Sequence, residues 1–245
     1  EVWERLIKID FEEADIVKAL AEEYEKEGNG EKSLDYYKKA IHRYANKKLF
    51  ANVKEIWDKL IGNASDDPDF FYHFLKKVSK TMPEDKMIEL LDSLYQFYKN
   101  EKNWDSAIDI LKKIIAIDSK DNEIRKEILF CFKEKYGNHN QFDEFVRLSS
   151  LSQNWRNIND AISDFEKHIA FDAGNFVYHK TWGIGRIKGL QGENIIIDFL
   201  SKKNHSMSVK MAVNSLTILS REHIWVIKCT TRKEALREKI KKNVA

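Results

Sequence analysis

"GNFVYHKTWGIGRIKGLQGENIIIDF", Gly174 to Phe199, decides how this chain is read. Five of the nine glycines lie inside it: Gly174, Gly183, Gly185, Gly189 and Gly192. Its apolar residues alternate, with Ile195, Ile197 and Phe199 interleaved by Ile196 and Asp198. A period of two places every second side chain on one face of a strand. Four neighbouring stretches read the same way: "NFVYHK", "GRIKGL", "SMSVKM" with Met207, Val209 and Met211 on one face, and "SLTIL". Five short strands with Gly/Asn turns predict a small C-terminal all-β antiparallel barrel. "GIGRIKG" is not a dinucleotide fingerprint. Its spacing is GxGxxxG, and a strand follows instead of a helix that could present its N-terminus to a pyrophosphate.

Upstream of this stretch the pattern is helical and repetitive. Ala14–Lys47 places Leu20, Ala21 and Tyr24 on one helix and Ser33, Tyr37 and Ala40 on the next, split by Gly28-Asn29-Gly30. The small residues let the two helices approach. Ile88–Asp121 fits the same template through Leu91, Leu94 and Tyr98, then Ala107, Leu111 and Ile114, with Asn103 in the turn. Asn122–Trp155 fits more loosely, through Ile128, Leu129, Phe132, Phe145 and Leu148 around the turn "YGNHNQF". The last two units are contiguous at a 34-residue step. Residues 48–87 hold two further helices off this period, the second opened by a capping Asp67 and Pro68. Asn157 to about Ala170 reads as one more amphipathic helix that ends the array. The expected domains are a helical repeat domain over 1–171, a β module over 172–228 and a C-terminal helix or linker over 229–245. In that last segment Ala235, Leu236, Ile240 and Val244 stand at helical spacing.

The charge total of +2 conceals an asymmetry. From Asp172 onward there are 14 Lys/Arg against 6 Asp/Glu, and before it 28 against 34. A basic end of this kind suits an acidic partner surface or nucleic acid, or simply solvates a small module. Cys131 and Cys229 are far apart and form no CxxC, which fits a reducing cytoplasm and argues against a disulfide framework or structural zinc. No run of 18 apolar residues is present, and no membrane contact is expected. The first residue is not Met, and the chain reads as part of a longer protein. No nucleophile–base pair, metal-ligand spacing or phosphate loop is found, so no catalytic residue, metal or cofactor is assigned and the chain is not expected to be an enzyme.

The helical repeats resemble the tetratricopeptide (TPR) family over roughly Ala14–Trp155. The resemblance implies a mainly α solenoid whose groove takes an unknown peptide or helix. The carboxylate clamp of chaperone-type members is not expected: Lys18 matches one clamp position, but Glu22 stands where the clamp has Asn. Gly174, Val177, His179, Lys180, Trp182, Gly183, Ile184, Gly185, Ile187 and Phe199 resemble the Tudor-like C-terminal segment of UvrD/PcrA-type helicases. They are similar, more distantly, to the RNA-polymerase-interacting domains of CarD and Mfd. What this implies is an SH3/Tudor-like barrel that docks on the β subunit of RNA polymerase without catalysis. Repeats fused to such a module resemble the N-terminal extension of long GreA-type bacterial transcript cleavage factors, whose acidic hairpin would lie outside this chain.

On that reading the partner-binding residues are His179, Lys180, Trp182, Gly183, Ile184, Gly185 and Arg186. Lys188, Lys202 and Lys203 are candidates for contacts with an acidic partner or with DNA near the polymerase. Trp182 has two readings: an exposed anchor for a partner pocket, or a plug folded over Phe199 or Ile187 at the barrel end. The lysines likewise are either contacts or an ordinary solvated face.

Overall fold

The computed structural model describes residues 13–118, 122–139, 141–220 and 222–231, with positions 235 and 237. The chain divides into two compact units, Glu1–Cys131 and Phe132–Ala245.

The first unit is built from paired helices. They are α1 (Ala14–Lys26), α2 (Gly30–Asn46), α3 (Phe50–Leu60), α4 (Pro68–Val78), α5 (Glu84–Asn100), α6 (Trp104–Ile117) and the greater part of α7 (Asn122–Tyr136). The same turn recurs at their ends. After α1, Gly28 adopts φ +75° and the Asn29 amide donates to the Tyr24 carbonyl at 2.8 Å. After α5, Lys102 adopts φ +55° and the Asn103 amide donates to the Tyr98 carbonyl at 2.9 Å. Lys48, at φ +59°, closes α2 in the same way, with the Leu49 amide 3.0 Å from the Tyr44 carbonyl. Each left-handed residue turns the chain back and supplies partners to carbonyls left over at the helix end. Asn29 and Asn103 then cap the following helices, accepting from the amides of Lys32 and Ser106.

Between these pairs, α3 runs into a 3-10 turn at Ile61–Asn63. The side chain of Asp67 then accepts from the Phe70 amide ahead of Pro68, so α4 starts where the capping pair places it. The middle is held by large rings whose polar ends are satisfied internally. Trp57 is fully buried and donates from Nε1 to the Leu90 carbonyl at 3.0 Å; the Tyr98 hydroxyl donates to the Ala64 carbonyl at 3.2 Å. A buried ring with a bonded polar tip adds directional restraint to its burial. Ala21 on α1 and Ser33 and Ala40 on α2 are buried. Lys18 is held by Glu55 at 2.6 Å, so its charge is already matched.

The second unit joins the end of α7 to α8 (Phe142–Ser149), α9 (Ile158–Ile169) and the sheet. Asn157 caps α9 through the amides of Asn159 and Asp160. Phe165 is fully buried, with Phe132 stacked 4.5 Å away and Phe142 edge-on at 5.7 Å. The strands are β1 (Phe176–His179), β2 (Gly183–Gln191), β3 (Asn194–Phe199), β4 (His205–Ser208) and β5 (Leu216–Leu219). They pair antiparallel in the order β4-β3-β2-β1-β5, which leaves β4 and β5 as the edges of a curled sheet. Val177, Ile187, Ile195, Ile197, Phe199, Met207 and Leu216 fill its concave face.

One strand expectation is corrected. "SMSVKM" does not continue as a strand, because Ser208 accepts from the Met211 amide and starts α10 (Val209–Ser215). Met207 and Val209 are buried, whereas Met211 is 60% exposed and shares no face with them. A short helix α11 (Ile224–Thr230) follows β5. The apolar spacing of Leu236, Ile240 and Val244 lies outside the described residues.

The repeated turn makes a direct prediction. Lys102→Gly relieves a left-handed lysine and should raise the stability of the first unit by about 0.5 kcal/mol, net of the added chain entropy. Gly28→Ala should lower it by about 1 kcal/mol. Denaturant midpoints of the two variants check both signs.

Candidate functional site

The segment "HKTWGIG" forms the hairpin between β1 and β2, in the register His179↔Gly183, Tyr178↔Ile184 and Val177↔Gly185. Its three-residue tip, Lys180-Thr181-Trp182, is organised by the histidine before it. His179 Nδ1 accepts from the Thr181 amide at 3.0 Å, with the Trp182 amide 3.4 Å away, so this nitrogen is unprotonated. Gly183, at φ +69°, completes the turn.

Gly185 has a different reason to be glycine. A Cβ there would lie 2.6 Å from Phe199 Cδ1 and 2.7 Å from Ile197 Cγ2. The absent side chain lets β2 close directly over Phe199, which is fully buried. The indole of Trp182 packs on that ring at 5.5 Å. It also stacks on His179 at 4.1 Å with 19° between planes, and meets His205 at 4.1 Å and 57°. Lys202 Nζ stands 5.1 Å from the indole.

Trp182 thus lies between two imidazoles, half-buried, with one side on the sheet core and part of its surface free. It has features of both expected readings: it leans on Phe199 as a plug would and offers an edge as an anchor would. Of the other predicted residues, Lys180, Arg186, Lys188, Lys202 and Lys203 are exposed. Ile184 lies on the convex face opposite Tyr178, which is 43% exposed. Arg186 stands on that same face over the Phe176 ring at 5.9 Å, while Lys188 donates to Asn204 at 3.0 Å. Gly185 is internal and touches no solvent partner. The hairpin therefore splits its residues: His179 and Trp182 at the concave end, Ile184 and Arg186 on the convex face.

Two residues at this end were missed by sequence reasoning. His205 comes from β4 and meets the indole at 4.1 Å; a single histidine 23 positions away carries no local signal. Leu200, in the β3–β4 loop beside Lys202 and Lys203, is 82% exposed. Its signal was available, since "FLSKKN" leaves one apolar residue in a polar turn.

No protein-family model matches the chain. It is 44% identical over 243 residues to a protein of Treponema pallidum (strain Nichols) named as a GreA-associated domains protein; the match spans 99% of this chain and 37% of that one. It is 35% identical over 243 residues to a protein of Borreliella burgdorferi named Transcription elongation factor GreA, spanning 99% of this chain and 27% of that one. The chain thus covers about a third of the length of these curated relatives and is related to them along almost all of its own. Among the described residues, no helix is long and apolar enough to cross a membrane.

The site should be sensitive to acid. Burial pushes the His205 pKa down, and nearby Lys202 and His179 push it the same way. Its Nε2 is buried without a hydrogen-bond partner. Below the ordinary histidine value of about 6.5 the unfolded chain takes up a proton that folded His205 resists, so stability falls as pH falls. His168 in the same unit is shifted down by burial as well. The second unit should therefore lose stability between about pH 7 and pH 5. His205→Gln should flatten part of that slope, which chemical denaturation across the pH range measures. Gly185→Ala should cost about 1–3 kcal/mol through overpacking against Phe199, read in the same assay.

Proposed function

We propose that this chain is a non-catalytic docking region of a cytoplasmic bacterial transcription elongation factor, and that the curled sheet engages RNA polymerase through its β subunit. The observation that carries the reading is the half-buried indole of Trp182, pre-positioned between His179 and His205 at an end that also bears Lys180, Lys202, Lys203 and exposed Leu200. An aromatic residue held rigid before binding loses little entropy on docking, and tryptophan is enriched among residues that dominate interface energies. The lysines supply complementarity to an acidic partner surface and raise the rate of encounter. Relatedness to proteins named for GreA supports transcription as the setting.

In this reading residues 172–228 form a Tudor-like docking module and residues 1–171 a TPR-like scaffold. The recurrent helix–turn–helix geometry with Asn29 and Asn103 at equivalent places supports the second assignment.

Binding of the chain to core RNA polymerase, followed by biolayer interferometry, tests the proposal. Trp182→Ala should weaken binding by about 2 kcal/mol or more, roughly 30-fold. Leu200→Asp should weaken it without altering the folded state, because Leu200 is exposed. Intact, folded chain that shows no affinity for the polymerase would overturn the docking reading. Affinity for DNA alone with a steep salt dependence would point to phosphate binding through the basic residues instead.

A further inference from the structure

The first unit holds a cleft of about 540 Å³ where α4, the start of α5 and the end of α6 meet. Leu75, Met82, Met87 and Leu91 form its buried apolar wall. Two of the four methionines of the chain are therefore gathered in one cleft. Methionine is flexible and polarisable and adapts to ligands of varied shape.

The rim is basic. Four lysines elsewhere in the unit, Lys18, Lys38, Lys59 and Lys99, each hold a carboxylate from another part of the fold. Lys76 on α4 and Lys113 on α6 line the cleft, are exposed, and have no carboxylate partner among the described residues. Lys113 instead lies 5.0 Å from the Tyr72 ring. Residues 70–83 contain Lys76, Lys77 and Lys80 and no Asp or Glu, within residues 1–131 that carry 23 Lys/Arg against 28 Asp/Glu. The lining includes one carboxylate, Glu84. An apolar slot rimmed by unmatched lysines in an acidic unit selects a ligand with an apolar body and negative charge beside it.

We infer that this cleft is a second docking site, which takes a bulky apolar side chain from an acidic segment of a protein partner, with the carboxylates of that segment meeting Lys76 and Lys113. It is separate from the polymerase-docking reading and stands or falls without it.

The test uses the whole chain with ε-methyl-labelled methionines and three synthetic probes: acetyl-EELFEEL-amide, acetyl-KKLFKKL-amide and acetyl-EEAAEEA-amide. The acidic apolar peptide should shift the methyl signals of Met82 and Met87 and leave those of Met207 and Met211 in place. It should bind at least tenfold more tightly than either control. Lys76→Glu with Lys113→Glu should remove that preference. Ala116 lines the cleft and is exposed, so Ala116→Trp should fill the slot without disturbing the core and abolish binding. Equal binding of the alanine control, shifts confined to Met207 and Met211, no shift at millimolar peptide, or undiminished binding by a folded Ala116→Trp chain would each overturn the inference.

Discussion

The candidate docking end depends on one close approach: β2 crosses Phe199 at Gly185, where any side chain would occupy the space of the ring. Because nothing projects there, the sheet can close over its own core. Phe199 becomes the floor on which Trp182 rests, with His179 and His205 against the indole. A β-carbon at position 185 would force β2 away from β3, and the imidazole–indole–imidazole contact would lose its base. The half-burial of Trp182 is therefore a consequence of sheet curvature and not of the hairpin alone.

The helical unit rests on an equally local device used repeatedly. A left-handed residue ends one helix and the next residue or two begin another, with Asn29 and Asn103 serving both the turn and the cap. The device tolerates Gly28, Lys48 and Lys102 alike, since the paired carbonyls and buried rings outweigh about 1 kcal/mol of backbone cost. It also explains why two units with different turn residues, "EGN" and "EKN", have the same geometry. The direct bonds of Trp57 and Tyr98 to carbonyls 33 and 34 positions away then lock successive pairs together.

Much of this was legible in residue order. Strand alternation at Ile195, Ile197 and Phe199 put those residues on the buried face, and the Asp67-Pro68 start, the Asn157 cap and the Gly28 turn all stand where local signals place them. One strand expectation fails, and other relations leave no trace in residue order, for a related reason. "SMSVKM" alternates as a strand should, but Ser208 Oγ accepts from the Met211 amide, and a side-chain cap overrides a weak two-residue periodicity. The steric requirement at Gly185 comes from residues 12 and 14 positions later, which no local pattern displays. The grouping of Phe132–Ala170 with the sheet likewise follows from Phe165 packing on Phe132 and Phe142 and from His139 meeting Asp172 at 2.5 Å. No shift in composition marks that grouping.

Outside the Val209–Ser215 segment, which reads as strand and folds as α10, the amino-acid order alone determined most of the helices, strands and turns and their apolar faces, because those properties arise within a few residues along the backbone. Only the tertiary structure decided that His205 meets Trp182, that Arg186 and Trp182 of one hairpin serve opposite faces, and that Lys76 and Lys113 share the rim of one cleft. Those relations depend on strand register, sheet curl and the distance between helices. Such distances are set by packing among residues remote in sequence, and a periodic pattern holds no record of them.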